Sequence, residues 1–162
     1  MGASRWREVV RLVVSIIGCQ GAGLVGSIAT FPSIPTWYAG LQKPPFNPPN
    51  WVFGPVWGTL YTLMGISAFL IWRKGLKDRQ VRIALGIFVV QLILNSLWSL
   101  VFFGAHSLLG GLPLIALLWV AILLSILTFW RMSKAAGALL IPYILWVSFA
   151  SVLNFSLWRL NP

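Results

Sequence analysis

Acidic side chains are almost missing from this sequence. Glu8 and Asp78 are the only two in 162 residues, against twelve Lys and Arg, one His and one Cys. With so few carboxylates there is no paired-acid site for general acid–base chemistry and no carboxylate relay through an apolar interior. The lone Cys19 forms no intramolecular disulfide and is read as a packing residue. His106 has no cluster of Cys, Asp or Glu to join, so no metal site is expected, and no cofactor either. The glycines of "GCQGAG" (18–23) lie in an apolar run with no strand before them, which excludes a phosphate-cradling loop. No nucleophile–base pair stands out.

Charge of either sign is scarce as well. Only 9% of residues are charged and mean hydropathy is +0.88, whereas soluble domains carry about 25% charged residues. Such a chain cannot coat a water-facing surface. It reads as an all-α integral membrane protein, because its apolar runs match the ~20 residues of a spanning helix rather than the shorter alternating strands of a barrel. Five spans are expected, at roughly 9–31, 51–72, 83–104, 112–130 and 136–158, forming a single domain over 1–162. The first run follows a basic flank, as in a signal peptide, but it is too long for a cleaved h-region and is read as a retained helix.

What charge there is alternates. Arg5, Arg7 and Arg11, then Arg73, Lys74, Lys77, Arg79 and Arg82, then Arg131 and Lys134 fall on one side of a five-span topology; Lys43 and Arg159 fall on the other. By the positive-inside bias the N-terminus is cytoplasmic and the C-terminus outside, in a bacterial inner membrane. The bases sit in short flanks and build no extended patch, so nucleic acid is not an expected partner; the lipid bilayer is.

Between the first two spans runs "WYAGLQKPPFNPPNWVFGPVW", from Trp37 to Trp57, with Pro44, Pro45, Pro48, Pro49 and Pro55 and one charge, Lys43. Pro44, Pro45, Pro48 and Pro49 cannot continue a helix, and they push their predecessors to extended geometry, whereas Pro55 lies near a helix start. Residues 32–50 are therefore expected to form a semi-rigid loop on the charge-poor side. Trp37, Tyr38 and Trp51 also suit the headgroup level of a membrane interface.

Inside the spans, Gly18, Ala22 and Gly26 form a small-residue face in the first helix that suits internal packing or a homodimer. Asn95, Trp98, Phe102 and His106 share a face in the third span. Trp146, Ala150, Asn154 and Trp158 do so in the fifth, and Trp57, Tyr61 and Met64 in the second. Two readings fit these faces: amides gluing helices together, or a cavity walled by flat aromatics with a few amides to orient a planar apolar ligand.

These residues also carry a resemblance. "WYAGLQKPPFNPP", "VWGTLYTLMG", "LNSLWSLVFF" and "PYILWVSFASVLNFSLWR" resemble the translocator protein family, also called tryptophan-rich sensory proteins or peripheral-type benzodiazepine receptors, over about residues 20–160. The resemblance implies a five-helix bundle, often a homodimer, with a ligand pocket under the loop between helices one and two. It implies binding of porphyrins such as protoporphyrin IX and haem, and in many members of sterols and synthetic isoquinoline or benzodiazepine ligands. By matching motif positions, Tyr38, Pro48, Trp57, Asn95, Trp98, Trp146 and Ala150 would line that pocket. Some bacterial members degrade protoporphyrin in light, which would give Trp57 and Trp146 a catalytic part. Phe155 stands where the sterol motif has a tyrosine, so the resemblance favours a tetrapyrrole. Binding or sensing, light-dependent breakdown and porphyrin transport are the three functions it leaves open. The Pro-rich loop is then expected to act as a preformed lid, with Asn95 offering the ligand a hydrogen bond.

Overall fold

The computed structural model describes residues 2–162, with side chains from Ser4 onward. The regular structure among them is helical: α1 (Gly2–Ser33), α2 (Asn50–Trp72), α3 (Arg79–Ser99) with a π turn at Leu100–Gly104, α4 (Leu108–Met132), α5 (Lys134–Leu139) and α6 (Ile141–Leu160). Five stretches are long and apolar enough to cross a bilayer, Ser4–Ser33, Asn50–Trp72, Arg79–Gly104, Leu108–Met132 and Lys134–Leu160. These are the five expected spans, with two adjustments. The first helix reaches further towards the N-terminus, so Glu8 lies within it and pairs with Arg73 at 3.2 Å. The fifth is interrupted between α5 and α6, where Pro142 occupies the first turn of α6 and cannot donate back to the preceding turn.

Local chemistry sets the helix starts. Asp78, Ser107 and Ser133 cap α3, α4 and α5 by accepting from the N–H groups of Gln80, Gly110 and Ala136, which satisfies donors that a helix start leaves free. Large apolar side chains such as Ile28, Leu117, Leu145 and Val152 stay exposed on the outside, as they must where lipid is the solvent.

Glycines decide how closely the helices approach. A Cβ on Gly65 would lie 2.6 Å from the Ile16 Cα, so α1 and α2 touch backbone to backbone there. Gly23 leaves space for the ring of Tyr61, and a Cβ on Gly26 would lie 3.0 Å from the Ser99 Oγ of α3. The Ser96 hydroxyl donates to the Ala22 carbonyl at 3.0 Å. The small-residue face of the first helix thus packs largely inside the bundle; Gly18, at its far end, is exposed. The Glu8–Arg73 end carries the basic clusters, and the loop between α1 and α2 closes the opposite end.

Candidate functional site

The loop is held by contacts along its length. Where α1 ends, the Ser33 hydroxyl donates to the Phe103 carbonyl at 2.7 Å, which supplies a donor to the π turn. That turn carries both Phe102 and Phe103 inward, and both are buried. Trp37 then stacks on His106 with centroids 4.6 Å apart and meets Phe102 edge-on at 5.7 Å. Tyr38 is buried, and its hydroxyl donates to Asn47 Oδ1 at 2.6 Å across the loop. Lys43 Nζ donates to the carbonyls of Ala39 and Leu41, each at 3.1 Å, and sits 5.0 Å from the centre of the Tyr38 ring. Finally, the Gln42 N–H donates to Asn161 Oδ1 at 2.9 Å and Asn161 Nδ2 donates back to the Gln42 carbonyl at 2.9 Å. This pair imitates a rung of a backbone ladder and fixes the loop to the end of α6. Phe46 adds an edge contact with Phe149 at 6.2 Å. Burial pushes the Tyr38 hydroxyl up to about 12, partly opposed by its bond to Asn47.

Beneath this loop lies a cavity of about 230 Å³, walled by α1, α2, α3 with its π turn, α6 and the first part of the loop. Tyr38, Trp57, Trp98, Trp146 and Ala150 are on its wall; Pro48 and Asn95 are not. Asn95 stands one layer behind Tyr61, and both ends of its amide are committed. The Tyr61 hydroxyl donates to Asn95 Oδ1 at 2.5 Å, Asn95 Nδ2 donates to the Tyr143 hydroxyl at 2.8 Å, and that hydroxyl donates to Gln91 Oε1 at 2.8 Å. This chain ties α2, α3 and α6 together below the cavity. Asn95 therefore holds the floor in place rather than presenting a free donor. Among the described residues, Gln91 Nε2 is the one buried side-chain nitrogen or oxygen without a partner.

Three amide side chains do line the cavity, Gln20, Asn50 and Asn154; of the two amides singled out in the sequence, the one that reaches it is Asn154. Its Oδ1 accepts from the Trp98 indole N–H at 3.1 Å, and its Nδ2 donates to the Leu108 carbonyl at 2.8 Å. The expectation that intramembrane amides act as glue thus holds in a particular form: they bond to hydroxyls, an indole and a carbonyl, not to each other. Gly111 of α4 makes room, since a Cβ there would lie 2.6 Å from Asn154 Oδ1.

The aromatics pack against one another in pairs. Trp57 stacks on Tyr61 at 5.5 Å, Trp98 stacks on Phe102 at 5.1 Å, and Phe53 meets Trp146 edge-on at 6.2 Å. Phe53 and the α1 contribution to the wall were not anticipated from sequence. Phe53 lies four residues before Trp57, so helical spacing carried the signal for it; nothing comparable marked Gln20 or Leu24. No Asp, Glu, Lys, Arg or His is on the wall. Among the described residues no group of three or more His, Cys, Asp and Glu could hold a metal. A neutral, aromatic hollow of this kind suits an apolar, flat guest far better than proton-transfer chemistry.

These features define an integral membrane protein, a single five-span helical bundle with an aromatic cavity beneath a proline-braced loop. Comparison with known sequences places it further: the chain belongs to the TspO/MBR family, whose profile matches residues 15–159. It is 45% identical to a tryptophan-rich protein TspO of Archaeoglobus fulgidus over 155 residues, covering 95% of this chain and 99% of that one. It is 43% identical to the human translocator protein over 129 residues, 77% of this chain and 75% of that one. A tryptophan-rich sensory protein of Cereibacter sphaeroides is 35% identical over 125 residues, 77% of each chain.

Proposed function

We propose that this protein is a membrane receptor or sensor that binds tetrapyrroles, protoporphyrin IX or haem, in the cavity under the α1–α2 loop. The observation that carries the reading is the placing of three indoles, Trp57, Trp98 and Trp146, around one hollow beside Ala150 and beneath Tyr38. Each offset-stacked aromatic contact contributes about 0.5–1.5 kcal/mol beyond burial. Three of them plus buried area reach the roughly −8 kcal/mol of micromolar binding.

The hollow, at about 230 Å³, is below the ~300 Å³ at which small-molecule pockets usually begin. A macrocycle is therefore accommodated by turning wall side chains. Trp57, Trp146 and Phe53 are half-buried and held by ring contacts alone, whereas Trp98 is also hydrogen-bonded to Asn154. The bound loop already has few conformations to lose, which favours affinity. The charge bias supports a cytoplasmic N-terminus and a loop on the outer side of a bacterial inner membrane.

Titration of the purified chain with protoporphyrin IX, haem and a sterol, read by quenching of tryptophan fluorescence, tests the reading. Saturable quenching by the tetrapyrroles at micromolar concentration is expected, with a weaker or absent response to the sterol. Equal, non-saturating responses to all three would refute it. Repeating the titration under illumination separates binding from breakdown: an unchanged porphyrin spectrum is the result expected of a receptor.

A further inference from the structure

The cavity is not sealed on its flank. In the half of the bundle nearer the basic end, α1 and α2 are zipped together. Gly65 lies against the Ile16 backbone, and Gln20 Nε2 donates to the Gly58 carbonyl and to Thr62 Oγ1, both at 3.0 Å. Towards the loop this zipping stops. Two hydroxyls of α1 beyond Gln20 turn back onto their own helix, Ser27 to the Leu24 carbonyl at 2.7 Å and Thr30 to the Gly26 carbonyl at 3.0 Å, and Ser33 bonds to the π turn rather than to α2. On the facing helix Gly54 and Gly58, one turn apart, have no atom within 4 Å of where a Cβ would stand. Leu24 and Phe31 are 66% and 65% exposed, yet both belong to the cavity wall. They touch the hollow on one side and lie at the lipid-facing surface on the other.

The route from water is closed by comparison. Tyr38 is 1% exposed, Trp37 is stacked on His106, and the paired Gln42–Asn161 bonds clamp the loop to α6.

We propose that ligands reach the cavity sideways from the hydrocarbon layer, through the slit between α1 and α2 floored by Gln20 and edged by Gly54 and Leu24, while the loop stays shut. The inference rests on the ligand reading above and narrows it: the molecules this site takes are those that first dissolve in the bilayer. The glycines keep the slit open because a side chain on that edge would stand in the path. Free space at Gly54 means that the path can be narrowed without straining the fold.

Stopped-flow tryptophan quenching by protoporphyrin IX, with the chain in lipid nanodiscs, tests this. Gly54→Leu is expected to slow association by about tenfold; because Gly54 also borders the cavity, Kd is measured alongside, and a gate is expected to change the association rate by more than it changes Kd. Gly54→Ala should fall between. Asn161→Ala, which releases the loop, is expected to leave the association rate unchanged. An unchanged association rate in Gly54→Leu with intact equilibrium binding, or a clear acceleration by Asn161→Ala, overturns the lateral route alone. No binding by the unaltered chain overturns the ligand reading and the route together.

Discussion

Replacing Ala150 with Leu puts bulk where the proposed guest would sit. Ala150 is half-buried on α6 and is part of the cavity wall with Trp146 one turn before it and Asn154 one turn after. The substitution adds three carbons. Each takes about the ~30 Å³ that a water molecule claims in the liquid, so together they remove about 90 Å³ of a cavity of about 230 Å³. The added carbons enter empty space rather than a packed core, so the bundle should remain folded and gain van der Waals contacts, at ~0.1–0.2 kcal/mol per atom pair. The ligand, by contrast, meets an overpacked site. Forcing extra methylenes into filled space costs about 1–3 kcal/mol, which weakens binding about 5- to 150-fold. The assay is equilibrium quenching of tryptophan fluorescence by protoporphyrin IX, with circular dichroism and thermal unfolding as controls on the fold. Wild-type affinity in a folded Ala150→Leu chain would refute the reasoning and move the site away from α6.

Other consequences concern the frame of the site. Gly65→Leu should destabilise the chain by about 1–3 kcal/mol or more, because the new side chain meets the Ile16 backbone, which cannot rotate away; thermal unfolding in detergent measures it. Tyr143→Phe removes the donor to Gln91 and the acceptor for Asn95. Interhelical bonds in membranes average about 0.6 and reach ~1.7 kcal/mol each, so the same unfolding assay should show a loss of about 1–3 kcal/mol. The raised Tyr38 hydroxyl gives a pH dependence with a definite sign. A group that holds its proton more tightly when folded contributes stability that is complete below its unfolded value, here 10.0, and lost as pH rises towards about 12. Proteolysis of the loop should therefore accelerate between about pH 10 and 12, and Tyr38→Phe should abolish that step.

Much of this architecture was legible in the sequence because lipid imposes a simple rule. Each span must satisfy its own backbone, so an apolar run of sufficient length is helical, and five runs gave five helical spans. Proline placement marked the loop, because a residue without an N–H cannot continue a hydrogen-bonded helix; the break before α6, at Pro142, was not read from the 136–158 run. The π turn at Leu100–Gly104 left no such mark. "LVFFG" is an ordinary helical string, and its one-residue bulge arises from tertiary demands, with Ser33 and Trp37 from another part of the chain packed against it. Asn95 shows the limit of helical spacing. Asn95, Trp98 and Phe102 are buried together, while His106, read on the same face, lies past the end of the helix and is exposed; nor can spacing tell that Tyr61 stands between Asn95 and the cavity. Asn154, on the same kind of face, has no such screen. The contribution of α1 to the wall depended on which stretch of α2 it touches and where the two helices part, and no periodicity encodes that.

The central claim is that a flat conjugated ligand sits among the three indoles beneath the loop. The most direct test is a structure of the chain determined with protoporphyrin IX bound. The account predicts the macrocycle in the hollow, in contact with Trp57, Trp98 and Trp146 and alongside Ala150, with the loop still joined to Asn161. Density for the macrocycle only on the lipid-facing surface, with the hollow unchanged and empty, would contradict it.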